Sequence, residues 1–198
     1  MADRQIPTRR LHEPPYPLGS LMLGTLHWVP APTRPDLLAP PVAAALDQAP
    51  GDPDQVMVAP IDPGLADTAA FCDAYGVTLD VSANCVVVAG KQSGETRLAA
   101  VVVLASTRAD VNNLVRRRIE ARKASFAAID LAVAATGMEY GGITPIGLPP
   151  DWPLLIDGAV VATPEVIVGS GLRRSKLALP GAWLPGLPGA EVVDGLGL

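Results

Sequence analysis

Two apolar runs, Cys85-Val-Val-Val-Ala89 and Leu98-Ala-Ala-Val-Val-Val-Leu-Ala105, constrain the fold of this chain more than any other feature. Both are strand-sized and far too short to span a membrane. They flank Gly90-Lys-Gln-Ser-Gly94, so together they predict a β-hairpin with a loose turn. Hydrophobic residues make up 49% of the chain and aromatics only 4%. Val, Leu, Ile and Ala must therefore build the core.

The 198 residues suggest one domain with an extended arm. Residues 1–50 are rich in proline and read as a Pro-rich N-terminal arm. Leu18–Trp28 is apolar enough to dock on the body, and Pro41–Gln48 has the makings of a short helix. Residues 51–198 carry the regular signal. Strands are expected at Val56–Ala59, in the hairpin, at Ala124–Phe126, Pro153–Ile156, Val160–Val161, Val166–Val168 and Lys176–Leu179. Helices are expected over Gly64–Tyr75, stopped by Gly76, and over Ala127–Thr136, ended by Gly137. A third, after Thr107-Arg-Ala-Asp110, carries Val111, Leu114, Val115 and Ile119 at helical spacing. Asp157-Gly158 reads as a turn. Strands and helices without strict alternation predict an α+β fold: a mixed, largely antiparallel sheet or barrel with flanking helices.

The side chains exclude much chemistry. The cysteines are Cys72 and Cys85 and the histidines His12 and His27. No Cys/His cluster has metal-ligand spacing, so neither a metal nor another cofactor is expected. The N-terminus lacks the apolar stretch of a signal peptide, and the expectation is a soluble cytoplasmic protein. Net charge is −5, against a generally basic nucleic-acid binder. Yet eight of the fifteen Lys and Arg fall in two clusters, Arg116–Lys123 and Arg173–Lys176. Such local patches bind phosphate even on acidic proteins.

The densest local signal is Thr136–Pro149, which contains Gly137, Gly141, Gly142, Gly147, Pro145 and Pro149. Glycine permits close backbone approach, and proline holds the chain out of helix. This is a shaped loop able to present its own N–H and C=O groups. Gly141-Gly-Ile-Thr-Pro-Ile-Gly147 resembles the Gly-Gly-x-Ser/Thr-Pro-x-Gly loop of the YbaK/EbsC-type aminoacyl-tRNA deacylases, relatives of the editing insertion of bacterial prolyl-tRNA synthetase. Gly141 and Pro145 match the ends of that family's GxxxP motif. The strand at 86–88, Asp157 after a strand, and Val168-Gly-Ser-Gly171 support the resemblance, which covers roughly residues 56–195.

The resemblance implies hydrolysis of the ester joining a wrongly attached amino acid to the 3′ end of a tRNA. The leaving amino acid would be small, such as Ala, Ser or Cys. Backbone dipoles of the loop would do the electrostatic work without His or Cys. On this reading Gly141, Gly142, Thr144, Pro145 and Asn84 carry catalysis. Tyr140, Ile143, Gly147, Asp157, Gly169, Ser170 and Gly171 meet the substrate. Arg116, Arg117, Lys123 and Arg173 track tRNA phosphates. The partners would be mischarged tRNA and an aminoacyl-tRNA synthetase. One departure stands out: the family's strand-start lysine is replaced by Asn84, in Ala83-Asn-Cys-Val-Val87. A second reading is therefore a weak or inactive module that binds aminoacyl-tRNA ends or nucleotides. A third is a small-molecule-binding α+β domain without an RNA partner.

Overall fold

The hairpin predicted from the two apolar runs forms the middle of a sheet. The structure, a computed structural model, describes residues 23–49, 52–92 and 94–198. In chain order its elements are β1 (Val29–Pro30), α1 (Pro40–Asp47), β2 (Met57–Pro60), α2 (Thr68–Tyr75), β3 (Ala83–Gln92), β4 (Glu95–Leu104), α3 (Arg116–Arg118), β5 (Lys123–Phe126), α4 (Ile129–Thr136), β6 (Leu154–Asp157), α5 (Gly158–Ala162), β7 (Val166–Gly169), β8 (Ser175–Leu179) and β9 (Ala190–Val193). One sheet runs β5-β3-β4-β6-β9 and the other β1-β2-β8-β7. β3 and β4 pair antiparallel from Ala83 opposite Leu104 to Gln92 opposite Glu95. The pairings of β4 with β6 and of β6 with β9 are parallel; the rest are antiparallel. The fold is α+β with largely antiparallel sheets, and these remain two open sheets rather than a barrel.

Strand alternation builds three apolar layers. Ala100 and Val102 of β4 point into the core between the sheets and meet Val58, Val168 and Leu177 of the other sheet. Ala99, Val101 and Val103 point to the opposite face, onto Val111, Val115 and Ile119. From Ala99 to Val103 β4 thus has no wet face, which explains its unbroken apolar run. In the second sheet Met57, Ile167 and Ala178 face outward and are covered by Phe71 and Cys72 of α2.

Four local expectations are revised. Residues from Leu23 on do not stand off as an arm. β1 pairs with β2, and Ala31, Leu37, Leu38, Val42 and Leu46 join the central core. Prolines suit this segment because Pro40 and Pro41 occupy the first turn of α1, where an N–H has no partner to lose. Val160 and Val161 lie in α5, not in a strand, because the Asp157 carboxylate caps that helix through the Ala159 N–H at 2.9 Å. After β4 the cap is Asp110, which accepts from the Asn113 and Leu114 N–H groups, while Thr107 bonds back to the Leu104 carbonyl. The following segment is a π-helical turn, Val111–Val115, running into the short α3. Residues 1–22, with His12 and the first prolines, lie outside the described residues.

Candidate functional site

The two sheets meet where β3 begins. Ser82 bridges to Ile167, and the Ile167 N–H donates to the Val81 carbonyl at 2.8 Å. Beside this seam, under the glycine loop, lies an open cavity of about 370 Å³. Its walls come from Ala66–Thr68 before and at the start of α2, Ala83–Val87 of β3, Phe126, Ala127, Ile129 and Ala132 around the start of α4, Tyr140, Gly141 and Ile143 of the loop, Gly169 of β7, and Lys176 of β8.

The loop is held by a second glycine turn beneath it. The Gly171 N–H donates to the Gly142 carbonyl at 2.7 Å, and the Glu139 N–H donates to the Gly171 carbonyl at 2.8 Å. Two glycines of the cavity wall are constrained by their surroundings. Gly141 has φ +84°, and a Cβ there would stand 2.5 Å from Arg173 Nη1. A Cβ on Gly169 would stand 2.2 Å from the Gly142 carbonyl oxygen. Arg173 clasps the assembly: its guanidinium donates to the carbonyls of Tyr140 and Pro63, each at 3.0 Å, and its N–H donates to Glu139 at 2.6 Å. The Gly141 and Ile143 N–H groups have no hydrogen-bond partner among the described residues. They remain available to a ligand oxygen.

Asn84 faces the cavity, and its Oδ1 accepts from the Thr68 hydroxyl at 2.7 Å. Its amide N–H groups have no partner among the described residues. Cys85 also lines the wall, but burial pushes its thiol up to about 12. At neutral pH it is a protonated apolar neighbour and not a nucleophile. Lys176 Nζ donates to the Ala66 carbonyl at 3.1 Å and lies 5.1 Å from the centre of the Phe71 ring. Burial lowers its pKa, with Cys72 and Asp67 acting in the opposite sense. At the mouth Phe126 is 62% exposed and Tyr140 58% exposed. These are unusual exposures for two large rings in a chain so poor in aromatics.

The structure therefore brings together Asn84, Tyr140, Gly141, Ile143 and Gly169 of the residues singled out in the sequence. It places others behind the wall. Thr144 is fully buried, with its hydroxyl unpartnered among the described residues. Gly142, Pro145 and Gly147 form the back of the loop, Gly147 against the Pro41 carbonyl. Ser170 is buried and engages Ser175 and Leu172. Gly171 packs on Ala39. Asp157 is buried, caps α5 and accepts from the Gly197 N–H, away from the cavity. Of the basic residues, Arg173 is occupied with the carbonyls above. Arg116 donates to the Asn112 carbonyl at 2.9 Å, and Arg117 donates to Asn113 at 3.3 Å. Lys123 is exposed and lies opposite Lys91 on β3. Lys176, Thr68 and Phe126 were not among the residues selected from the sequence. Lys176 carried one signal, a charge inside the apolar strand Ser175-Lys-Leu-Ala-Leu179.

Among the described residues no group of His, Cys, Asp and Glu is gathered to hold a metal, and no helix is long and apolar enough to cross a membrane. Among curated proteins none matches the sequence closely. Among solved structures, the chain is similar to one described as a candidate trans-editing enzyme for prolyl tRNA synthetase, with TM-score 0.66 and 21% identity over 79% of this chain and 94% of that one. It is equally similar to a scaffold used for computational epitope grafting, with TM-score 0.66 and 22% identity over 79% and 95% of the two chains. A hypothetical protein matches with TM-score 0.60 and 22% identity over 70% and 86%. At these identities the likeness is one of fold. The sequence itself matches the model of the aminoacyl-tRNA editing domain over residues 62–185, which include β7, β8 and every residue of the cavity wall. The chain belongs to the aminoacyl-tRNA editing domain family.

Proposed function

We propose that this chain hydrolyses the ester of mischarged aminoacyl-tRNA, acting as a free-standing deacylase. The observation that carries the reading is the pairing of a small cavity with unpartnered loop amides. Gly141, Ile143 and Asn84 line one cavity, and the Gly141 and Ile143 N–H groups have no partner among the described residues. Donors fixed in a partly dry site stabilise a developing oxyanion without reorganising and without a titrating group. At about 370 Å³ the cavity is near the lower end of ligand-pocket sizes, which favours a small amino acid such as Ala, Ser or Cys. The nucleophile is water or a hydroxyl or thiol of the substrate itself, since the Cys85 thiol is held protonated.

The terminal adenosine is assigned to the mouth, where Phe126 and Tyr140 offer ring faces for stacking. The acceptor stem is assigned to the edge strand β5 and the segment before it. There Arg117 and Lys123 are exposed, and Lys123 faces Lys91, a like-charge pair that a bound phosphate would relieve. A partner synthetase that releases the mischarged tRNA fits this role.

The test is a deacylation panel. The chain is incubated with tRNA carrying Ala, Ser or Cys, and the surviving ester is followed over time. Release well above the spontaneous rate for at least one ester is expected. If every ester survives an excess of protein while tRNA still binds, the molecule is a binding module for aminoacyl ends and the enzyme reading is wrong.

A further inference from the structure

The cavity wall carries a buried cation that loop amides alone leave without a task. Lys176 is 7% exposed, in a strand whose five residues are all buried. An ammonium has three N–H donors; one goes to the Ala66 carbonyl and another side of the group faces the Phe71 ring. No carboxylate among the described residues forms an ion pair with it. The nearby Asp67 carboxylate is engaged in capping α2 through the Ala69 N–H. A buried charge without a counter-ion is costly to keep. It is more economically explained by a ligand than by stability.

The position of the ammonium relative to the loop is fixed by register. Lys176 lies opposite Gly169 on β7, and Gly169 packs directly under the carbonyls of Gly142 and Ile143. Ala66, whose carbonyl holds the ammonium, is also the neighbour of Gly141. The cation and the loop amides therefore border the same part of the cavity, with Asn84 reaching it from β3.

Resting on the deacylase reading, we propose that Lys176 is a catalytic residue whose ammonium donates to the ester carbonyl oxygen as that oxygen becomes an oxyanion. The oxygen of water bonds to the carbonyl carbon, and the π pair moves onto the oxygen facing Lys176. When that pair returns, the bond to the ribose 3′-oxygen breaks, and this oxygen leaves with the proton given up by the water. One ester and one water become one carboxylic acid and one ribose hydroxyl. The positive charge thus reaches the cavity from β8, while the strand-start position on β3 holds the neutral Asn84.

Three variants test this: Lys176→Met, Asn84→Lys, and the two combined. Lys176→Met should lower kcat about 100-fold, the scale for losing one oxyanion donor. KM should change only a few-fold, and the melting temperature should not fall. In the combined variant an ammonium returns from β3, and at least a tenfold part of the lost kcat should return. Asn84→Lys alone should be slower than wild type, because two ammonium groups would crowd one small cavity. The wild-type pH profile should show a descending alkaline limb, absent in Lys176→Met, as the ammonium deprotonates. The charged and titratable groups around it are Asp67 before α2, Cys72 on α2 and Arg173 before β8. Wild-type kcat in Lys176→Met, or a loss that merely tracks unfolding, overturns the assignment and leaves the deacylase reading intact. So does a folded combined variant no faster than Lys176→Met. A wild-type protein inert on every ester overturns both.

Discussion

The Thr68 hydroxyl donates to Asn84 Oδ1 at 2.7 Å, tying the start of α2 to the start of β3 across the cavity wall. The bond orients the Asn84 amide with its oxygen engaged, and on the proposed reading its N–H groups meet the substrate. Thr68→Val keeps the shape and removes the donor. A neutral hydrogen bond contributes about 0.5–1.5 kcal/mol, so kcat/KM should fall roughly 2- to 13-fold. Asn84→Ala should fall by a similar factor. The double variant should lose little more than either single one, because both act through the same amide. Additive losses in this cycle would mean that the two side chains serve the site separately.

Gly141 and Gly142 are neighbours with different constraints. A Cβ on Gly141 meets the end of Arg173, a side chain that can swing aside, though φ +84° still costs about 1–2 kcal/mol for an L residue. A Cβ on Gly142 meets the backbone of Leu172 within 2.6–2.8 Å and cannot be accommodated that way. Gly142→Ala should therefore lower the melting temperature more than Gly141→Ala. Gly141→Ala should lose activity out of proportion to its stability, since displacing Arg173 frees the Tyr140 and Pro63 carbonyls it holds. Equal melting temperatures would contradict this account of the loop.

The sequence showed these features unevenly, for physical reasons. The hairpin was readable because β-branched runs of strand length admit few other conformations. The loop was readable because glycine and proline report backbone shape directly. The direction of polar side chains was not. Thr144, Ser170 and Asp157 are polar residues inside or beside matching motifs, yet each points away from the cavity; Ser170 and Asp157 bond to nearby backbone. Motif position fixes the backbone, whereas the face a side chain takes depends on packing with distant elements. Lys176 was hidden for the converse reason. In sequence it extends the Arg173-Arg174 cluster. In space the alternation of β8 turns it inward, opposite Gly169, while Arg174 is exposed and donates to the Asp36 carbonyl at 2.8 Å. The parallel pairing of β6 with β9 was equally hard to foresee, since 32 residues lie between the last residue of one, Asp157, and the first of the other, Ala190.

Cys85 lines the cavity yet should behave as an inert wall. Its thiol titrates near 12 because burial disfavours the thiolate. Alkylation by iodoacetamide at pH 8 should be slow in the native protein and become fast on denaturation. Cys85→Ala should retain most of the deacylase activity. Rapid native alkylation that abolishes turnover would return Cys85 to consideration as a nucleophile.

Arg117 and Lys123 are both exposed, whereas the Arg173 guanidinium is committed to backbone carbonyls. Replacing Arg117 and Lys123 together by Gln should reduce the slope of log affinity for tRNA against log salt by roughly 1.4–1.8, at about 0.7–0.9 per phosphate contact. Arg173→Gln should leave that slope unchanged and lower the melting temperature instead. A slope that responds to Arg173→Gln and not to the pair would move the tRNA path to the other side of the loop.

Lys176 also makes a prediction about stability and pH that does not depend on catalysis. Its folded pKa lies below the ordinary lysine value, chiefly through burial. Between the folded and unfolded values the unfolded chain binds more protons, so folding stability attributable to this group rises with pH. Below the folded value the full cost of the buried charge is present; above the unfolded value it is gone. Lys176→Met removes that cost, so its melting temperature relative to wild type should be most favourable near neutral pH. The advantage should shrink as pH rises toward the unfolded lysine value, because only wild type gains from deprotonation. Loss of the Ala66 hydrogen bond and the Phe71 contact shifts both ends of this comparison alike and leaves its slope. Paired thermal melts from pH 7 to 10.5 measure it. A difference that stays constant across that range would show that the ammonium is not held at a cost, and the case for its having a ligand would weaken with it.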